Sequence, residues 1–169
     1  MSMVHDTATL LANGQVLLAG RTGLLGNPGD LFNPATDTFR TTLGSMEFAT
    51  NATTATLLEN RQVLFTGGNA FRVTASIRAL LYDPKTETFN PAVSGLTVPR
   101  VEHTATLLPN GKVLIVGGLT GTCNPSCVNG TTLFWNTAEL YDPTAKTFSQ
   151  VTGVMASPRF GHTATLICR

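Results

Sequence analysis

Short apolar runs separated by turn residues recur along this chain in one fixed order. TATLL stands at 7–11, 54–58 and 104–108, and TATLI at 163–167. A continuous apolar run follows: VLLA (16–19), VLFT (63–66) and VLIV (113–116). A third run, DLF (30–32), LLY (80–82) or ELY (139–141), leads into Asn33-Pro34, Asp83-Pro84 or Asp142-Pro143. A fourth segment holds Phe39, Phe89 or Phe148. Runs this short, rich in Val and Thr and bounded by Gly, Pro and Asn, predict four strands per copy rather than helices. The unbroken second run predicts a strand covered on both faces, close to the axis of an assembly of such units.

The turns carry further expectations. Asn13-Gly14 and Asn110-Gly111 predict a type I′ hairpin between the first two strands, whereas Asn60-Arg61 predicts a different turn. Gly67-Gly68 and Gly117-Gly118 close the second strand, where positive φ and close approach to the next unit suit glycine. The first copy has Ala19-Gly20 there. Asp or Asn before Pro starts the tight turn after the third strand, following Tyr82-Asp83 and Tyr141-Asp142 in two of the copies.

Ala8, Ala55, Ala105 and Ala164 are equivalent, giving offsets of 47, 50 and 59 residues. A period in this range points to an all-β protein built of β-propeller blades, each a four-stranded antiparallel unit that cannot bury its own faces. Blade 1 is expected at about 5–45, blade 2 at about 50–95, blade 3 at about 100–150, and the first strand of a fourth at about 159–169. Phe39, Phe89 and Phe148 are expected to pack between blades. Three blades form an incomplete ring. Open outer faces would be of the order of, or larger than, the roughly 300–600 Å² of apolar patch usual on monomers. Either the remaining blades of a longer chain or a second copy of this one would cover them. The stop at Arg169 within a fourth copy points to a fragment.

The paired glycines, the Tyr-Asp-Pro at 82–84 and 141–143, and the late aromatic of each copy together resemble the kelch repeat. The HTATLLPNGKVLIVGG of 103–118 is most similar to kelch blades of the galactose-oxidase central-domain type. Three departures stand out. Phe occupies the late position often held by Trp, the first copy lacks the full double glycine, and kelch rings usually have six or seven blades. The resemblance implies a propeller whose parent is either a binding scaffold or the framework of a secreted copper-radical or sugar-modifying enzyme. A copper-radical site of that kind would need two Tyr, two His and a Cys crosslinked to one Tyr. Tyr82 and Tyr141 are the chain's two tyrosines, and both belong to the repeat. The segment therefore holds no complete site of that sort.

Composition narrows the function classes. The net charge of +1 gives no electrostatic case for nucleic acid or an anionic membrane. Charged residues are 12% against 42% hydrophobic ones, and 28 Thr suit a pleated sheet surface. No catalytic residue, metal site or cofactor fingerprint emerges from the motifs. Binding is expected at the end carrying the long connections 21–29, 69–79 and 119–138, with 40–52, 90–102 and 149–161 beside them. Arg21, Arg72 and Arg78 there are either carboxylate ligands or solvated charges. Phe134 and Trp135 either anchor a protein or glycan ligand or pack their loop down. Arg100 and Arg159 share one repeat position, and His103 and His162 another, so an architectural role is expected for all four. Cys123 and Cys127, in CNPSC, are either a short-loop disulfide or free thiols. Cys168 reads as a small buried hydrophobe. Asn51 and Asn129 match the N-glycosylation pattern, a match expected by chance in a Thr-rich chain. The possible disulfide, few lysines and the resemblance favour an extracellular or periplasmic parent.

Overall fold

The computed structural model describes residues 5–21, 27–46, 51–70, 74–120 and 132–167. Among them there is no helix, and the strands form three antiparallel sheets, each from one contiguous stretch of chain. The first holds β1 (His5–Leu10), β2 (Val16–Arg21), β3 (Asn27–Asn33) and β4 (Thr38–Met46), in chain order. The second runs β5 (Asn51–Leu57), β6 (Val63–Ala70), β8 (Ala79–Asp83) and β9 (Thr88–Pro91). The two-residue β7 (Thr74–Ala75) extends the end of β6. The third runs β10 (Thr104–Leu107), β11 (Val113–Val116), β12 (Ala138–Asp142) and β13 (Thr147–Gln150). These are successive propeller blades forming part of a ring.

Register is identical wherever the sequence repeats. Ala8 opposes Leu18, Ala55 opposes Phe65, and Ala105 opposes Ile115. Phe32 and Phe39, Tyr82 and Phe89, and Tyr141 and Phe148 are cross-strand pairs, each with ring centroids 4.8 Å apart. Such pairs hold the third and fourth strands in register.

The first hairpin departs from the expected type I′ turn. Gly14 and Gly111 have φ of 83° and 76°, but neither preceding Asn has positive φ. The amide of Gly14 donates to Leu11 O at 3.0 Å, closing a type I turn followed by one left-handed residue. The Asn side chain holds it: Asn13 Oδ1 accepts from the Gln15 amide, and Asn110 Oδ1 from that of Lys112, both at 3.1 Å. The second copy, expected to differ, makes the same turn with Arg61 at φ 70°.

Successive sheets stack face to face. The first strands β1 and β5, and then β5 and β10, lie against one another, as do the outer strands β4 and β9. The first strands, rather than the second ones as expected, therefore line the edge where the sheets converge. Leu17, Ala19 and Leu31 of the first sheet pack on Val63, Phe65, Leu80 and Tyr82 of the second. Leu64, Ala79 and Leu81, from the opposite face of the second, pack on Val113, Ile115 and Tyr141 of the third. Each of the larger aliphatic and aromatic side chains among these contributes about 1.5–3 kcal/mol when buried.

Two-sided burial of the second strand holds only in the middle sheet, where residues 63–66 are all buried. In β2 and β11 alternate residues are half-buried, because each flanking sheet has a sibling on one side only among the described residues. The same asymmetry corrects the expectation for the late aromatics. Phe89 is buried and Phe148 half-buried, but Phe39 is 64% exposed, on the face of the first sheet that turns away from its sibling. Residues 161–167 form no ladder, so the copy expected over 159–169 is not a strand among the described residues.

Candidate functional site

The long connections all leave from one end of the sheets. Their backbones follow a common scheme in the second and third units. Ser76 N donates to Gly68 O at 2.7 Å, and its counterpart Trp135 N to Gly118 O at 2.8 Å. Leu96 N donates to Ile77 O at 2.7 Å, and Met155 N to Asn136 O at 2.8 Å. Different side chains thus ride on one backbone frame, Ser76 and Ile77 in one unit against Trp135 and Asn136 in the next.

A buried polar latch joins the second unit to the third beneath these connections. Arg100 and Glu139 are fully buried, with Arg100 Nε donating to Glu139 Oε1 at 2.9 Å. The guanidinium also donates to Gly117 O, Thr137 O and Thr137 Oγ1 at 2.7, 3.1 and 2.8 Å. Glu139 Oε2 accepts the Thr97 amide at 2.6 Å. Trp135 closes the latch: its ring centroid lies 5.8 Å from the guanidinium, and its Nε1 donates to Pro99 O at 3.0 Å. Both charges are paired and hydrogen-bonded, the condition under which buried ions are tolerated.

His103 follows three residues after Arg100 and docks on the double glycine of the preceding unit. Its Nε2 lies 3.0 Å from both Thr54 Oγ1 and Thr66 Oγ1. Burial, reinforced by the Arg100 charge and by His162, pushes its pKa down to about 3. The ring is therefore neutral at pH 7. A Cβ on Gly67 would collide with Arg100 O and His103 Cε1, so glycine is required there. Arg159 and His162 repeat the arrangement on Gly117: a Cβ would come 2.5 Å from Arg159 O and 2.8 Å from His162 Cε1. His162 Nε2 lies 3.2 Å from Thr104 Oγ1, and burial followed by Arg159 lowers its pKa. Gly68 N and Gly118 N donate to the carbonyls of Arg100 and Arg159.

The residues singled out for binding separate. Trp135 is half-buried against Pro99 and Arg100. Phe134 is 48% exposed and pairs with Phe160, centroids 5.1 Å apart. Arg78 is exposed and lines a groove of about 250 Å³ together with Ile77, Leu80, Pro91 and Val93. Arg72, Cys123, Cys127 and Cys168 lie outside the described residues, as does the side chain of Arg21. Tyr82 and Tyr141 are core residues, their phenols shifted upward chiefly by burial, that of Tyr82 to about 12. Asp83 and Asp142 serve the turns, each accepting a backbone amide at 2.9 Å.

Sequence reasoning missed Glu139 and Phe160. The signal for Glu139 was a carboxylate between Ala138 and Leu140, at the place where the siblings have Asp30 and Leu80. Phe160 had only its position one residue after Arg159. Among the described residues, no group of three His, Cys, Asp or Glu is arranged to hold a metal ion. No protein-family model and no curated protein matches the chain.

Proposed function

We propose that this chain is a stretch of kelch-type propeller acting as a non-catalytic scaffold, which takes a protein or glycan ligand on its long-connection end. The observation that carries this reading is the contrast between the two ends. Ile77, Val93, Leu133, Phe134, Val154 and Phe160 are large, apolar and exposed, and all six sit on long connections. The exposed Leu10 and Phe39 beside the short turns lie instead on the open face of the first sheet, where a further blade would cover them. The opposite end presents short turns with Asn13, Asn60 and Asn110 at their tips. Exposed apolar side chains gathered on one face of a rigid frame favour recognition there. The shared backbone scheme supports it, since the frame stays constant while the side chains it presents change. The open faces of the first and third sheets call for further blades, from a longer chain or from a second copy, whose association would double the mass of 17.9 kDa in solution.

The test is a glycan array and a displayed-peptide selection, each run on the chain and on the Phe134→Ser/Phe160→Ser double variant. A ligand held by the chain and lost by the variant, with the circular dichroism unchanged, is the expected result. A ligand retained by the variant, or copper-dependent oxidation of primary alcohols by the chain, contradicts it.

A further inference from the structure

The end opposite the long connections carries a cleft with chemistry of its own. It measures about 280 Å³ and lies between the turns of the first two units. Asn13 borders it from the first unit, and Arg61, Gln62, Asp83 and Lys85 from the second. Arg61 and Lys85 are exposed, and among the described residues neither forms an ion pair. Two cations and one carboxylate leave this small cleft with a net positive charge.

The sibling units act as internal controls. At the place of Arg61 they have Gly14 and Gly111, each at positive φ. Arg61 takes the same left-handed conformation at φ 70°, which disfavours a residue carrying a Cβ. At the place of Lys85 they have Ala35 and Thr144. The third unit carries two cations at its turns, but Lys112 is paired with Asp142 at 3.0 Å, leaving Lys146 alone. Among the described residues, only the second unit keeps two cations without an ion pair at its turns, both lining one cleft. Left-handed residues other than glycine also occupy the neighbouring turns, at Asp37, Glu87 and Lys146. The feature that sets Arg61 apart is therefore a guanidinium that departs from its own repeat beside a cavity it lines.

We propose that this cleft binds the carboxylate of a small sugar acid. Arg61 supplies the forked donors that match a carboxylate, and Lys85 adds a second positive charge. Asn13 and Gln62 are held by turn hydrogen bonds, Asn13 Nδ2 donating to Gln15 Oε1 and Asn60 Nδ2 to Gln62 Oε1, both at 3.0 Å. This leaves each amide with further donor or acceptor capacity for sugar hydroxyls beside the Asp83 carboxylate. Asp83 Oδ1 is steadied by the Lys85 amide at 2.9 Å. The site is exposed, so its affinity is modest and falls with added salt.

Glucuronate, glucose and inorganic phosphate are each titrated into the isotope-labelled full chain, with amide chemical shifts as the readout. Glucuronate is expected to shift the amides of Arg61, Gln62 and Lys85 saturably, at least tenfold more tightly than glucose or phosphate. Arg61→Gly restores the sibling residue. It is expected to weaken glucuronate at least tenfold while leaving the melting temperature equal to or above that of the parent. Lys85→Gln is expected to weaken it less, also without loss of fold. No saturable shift with glucuronate, equal binding of glucose or phosphate, or undiminished binding by Arg61→Gly overturns the proposal.

Discussion

The two junctions between sheets use the same faces of the same repeat but hold together by different chemistry. Between the first and second units the contact is apolar, with Leu80 at its centre against Leu17 and Leu31. Between the second and third, the position of Leu80 is taken by Glu139, which is paired in the interior with Arg100. At the first junction the counterparts of Arg100 and His103 are Thr50 and Thr53. The ion pair there, Arg40 with Glu87, lies at the surface, with Nη1 and Oε2 2.7 Å apart. The first junction thus stacks without any buried ion pair among the described residues. The buried latch is an addition that fixes geometry at one junction.

The strongest way to break the second junction is Arg100→Ala. It leaves the Glu139 carboxylate buried without a partner and should cost about 3–5 kcal/mol in chemical denaturation. The double variant Arg100→Leu/Glu139→Leu makes this junction resemble the first. It should recover most of that loss, since apolar replacement of a buried pair is often neutral or better. A double variant as unstable as the single one would mean that the latch is indispensable.

Acid should weaken the second junction more than the first. The folded-state pKa of His103 is depressed to about 3, below the unfolded value of roughly 6.5. Below 6.5 the unfolded chain takes up a proton that the native protein refuses. Stability is therefore full above pH 6.5 and is lost as pH falls toward 3, by about 1.4 kcal/mol per unit at most. His162, also lowered, adds in the same direction. His103→Gln should flatten the slope, measured as denaturation midpoint against pH.

Glycine substitutions sharpen the comparison next. Gly67→Ala meets both a positive φ of 66° and the Arg100 carbonyl, and should cost about 2–4 kcal/mol. Gly14→Ala has a φ of 83° but open space around it, and should cost about 1–2 kcal/mol. The smallest effect is expected from Arg40→Gln, because its pair with Glu87 is exposed and screened. A thermal shift that vanishes in high salt would agree with that.

The sheets and their register were legible because each repeat states its strands and turns in full. Turn type was not, because Asn-Gly serves two hairpins. Here Asn Oδ1 captures the amide two residues on, so only the next residue becomes left-handed, and Arg61 follows the same path. The exposure of Phe39 was not legible either. A repeat position says which face a side chain takes, but not whether that face meets a sibling. Of the candidate site, recurrence pointed to the shared backbone docking of Arg100 and Arg159 and of His103 and His162 on the double glycines. It did not point to the different fates of the two guanidinium groups, buried in Arg100 and exposed in Arg159. Glu139 was hidden by its own variability, and Trp135 became a packing residue only once Pro99 and Arg100 were seen against it.

Amide hydrogen exchange at 16–19, 63–66 and 113–116 tests the stacking of sheets most directly. These three runs have matching ladders and differ mainly in whether one face or both are covered. Residues 63–66 should exchange slowest, by about tenfold or more, the equivalent of about 1.4 kcal/mol of added protection. Equal exchange in all three runs, or slower exchange at 16–19, would contradict the account.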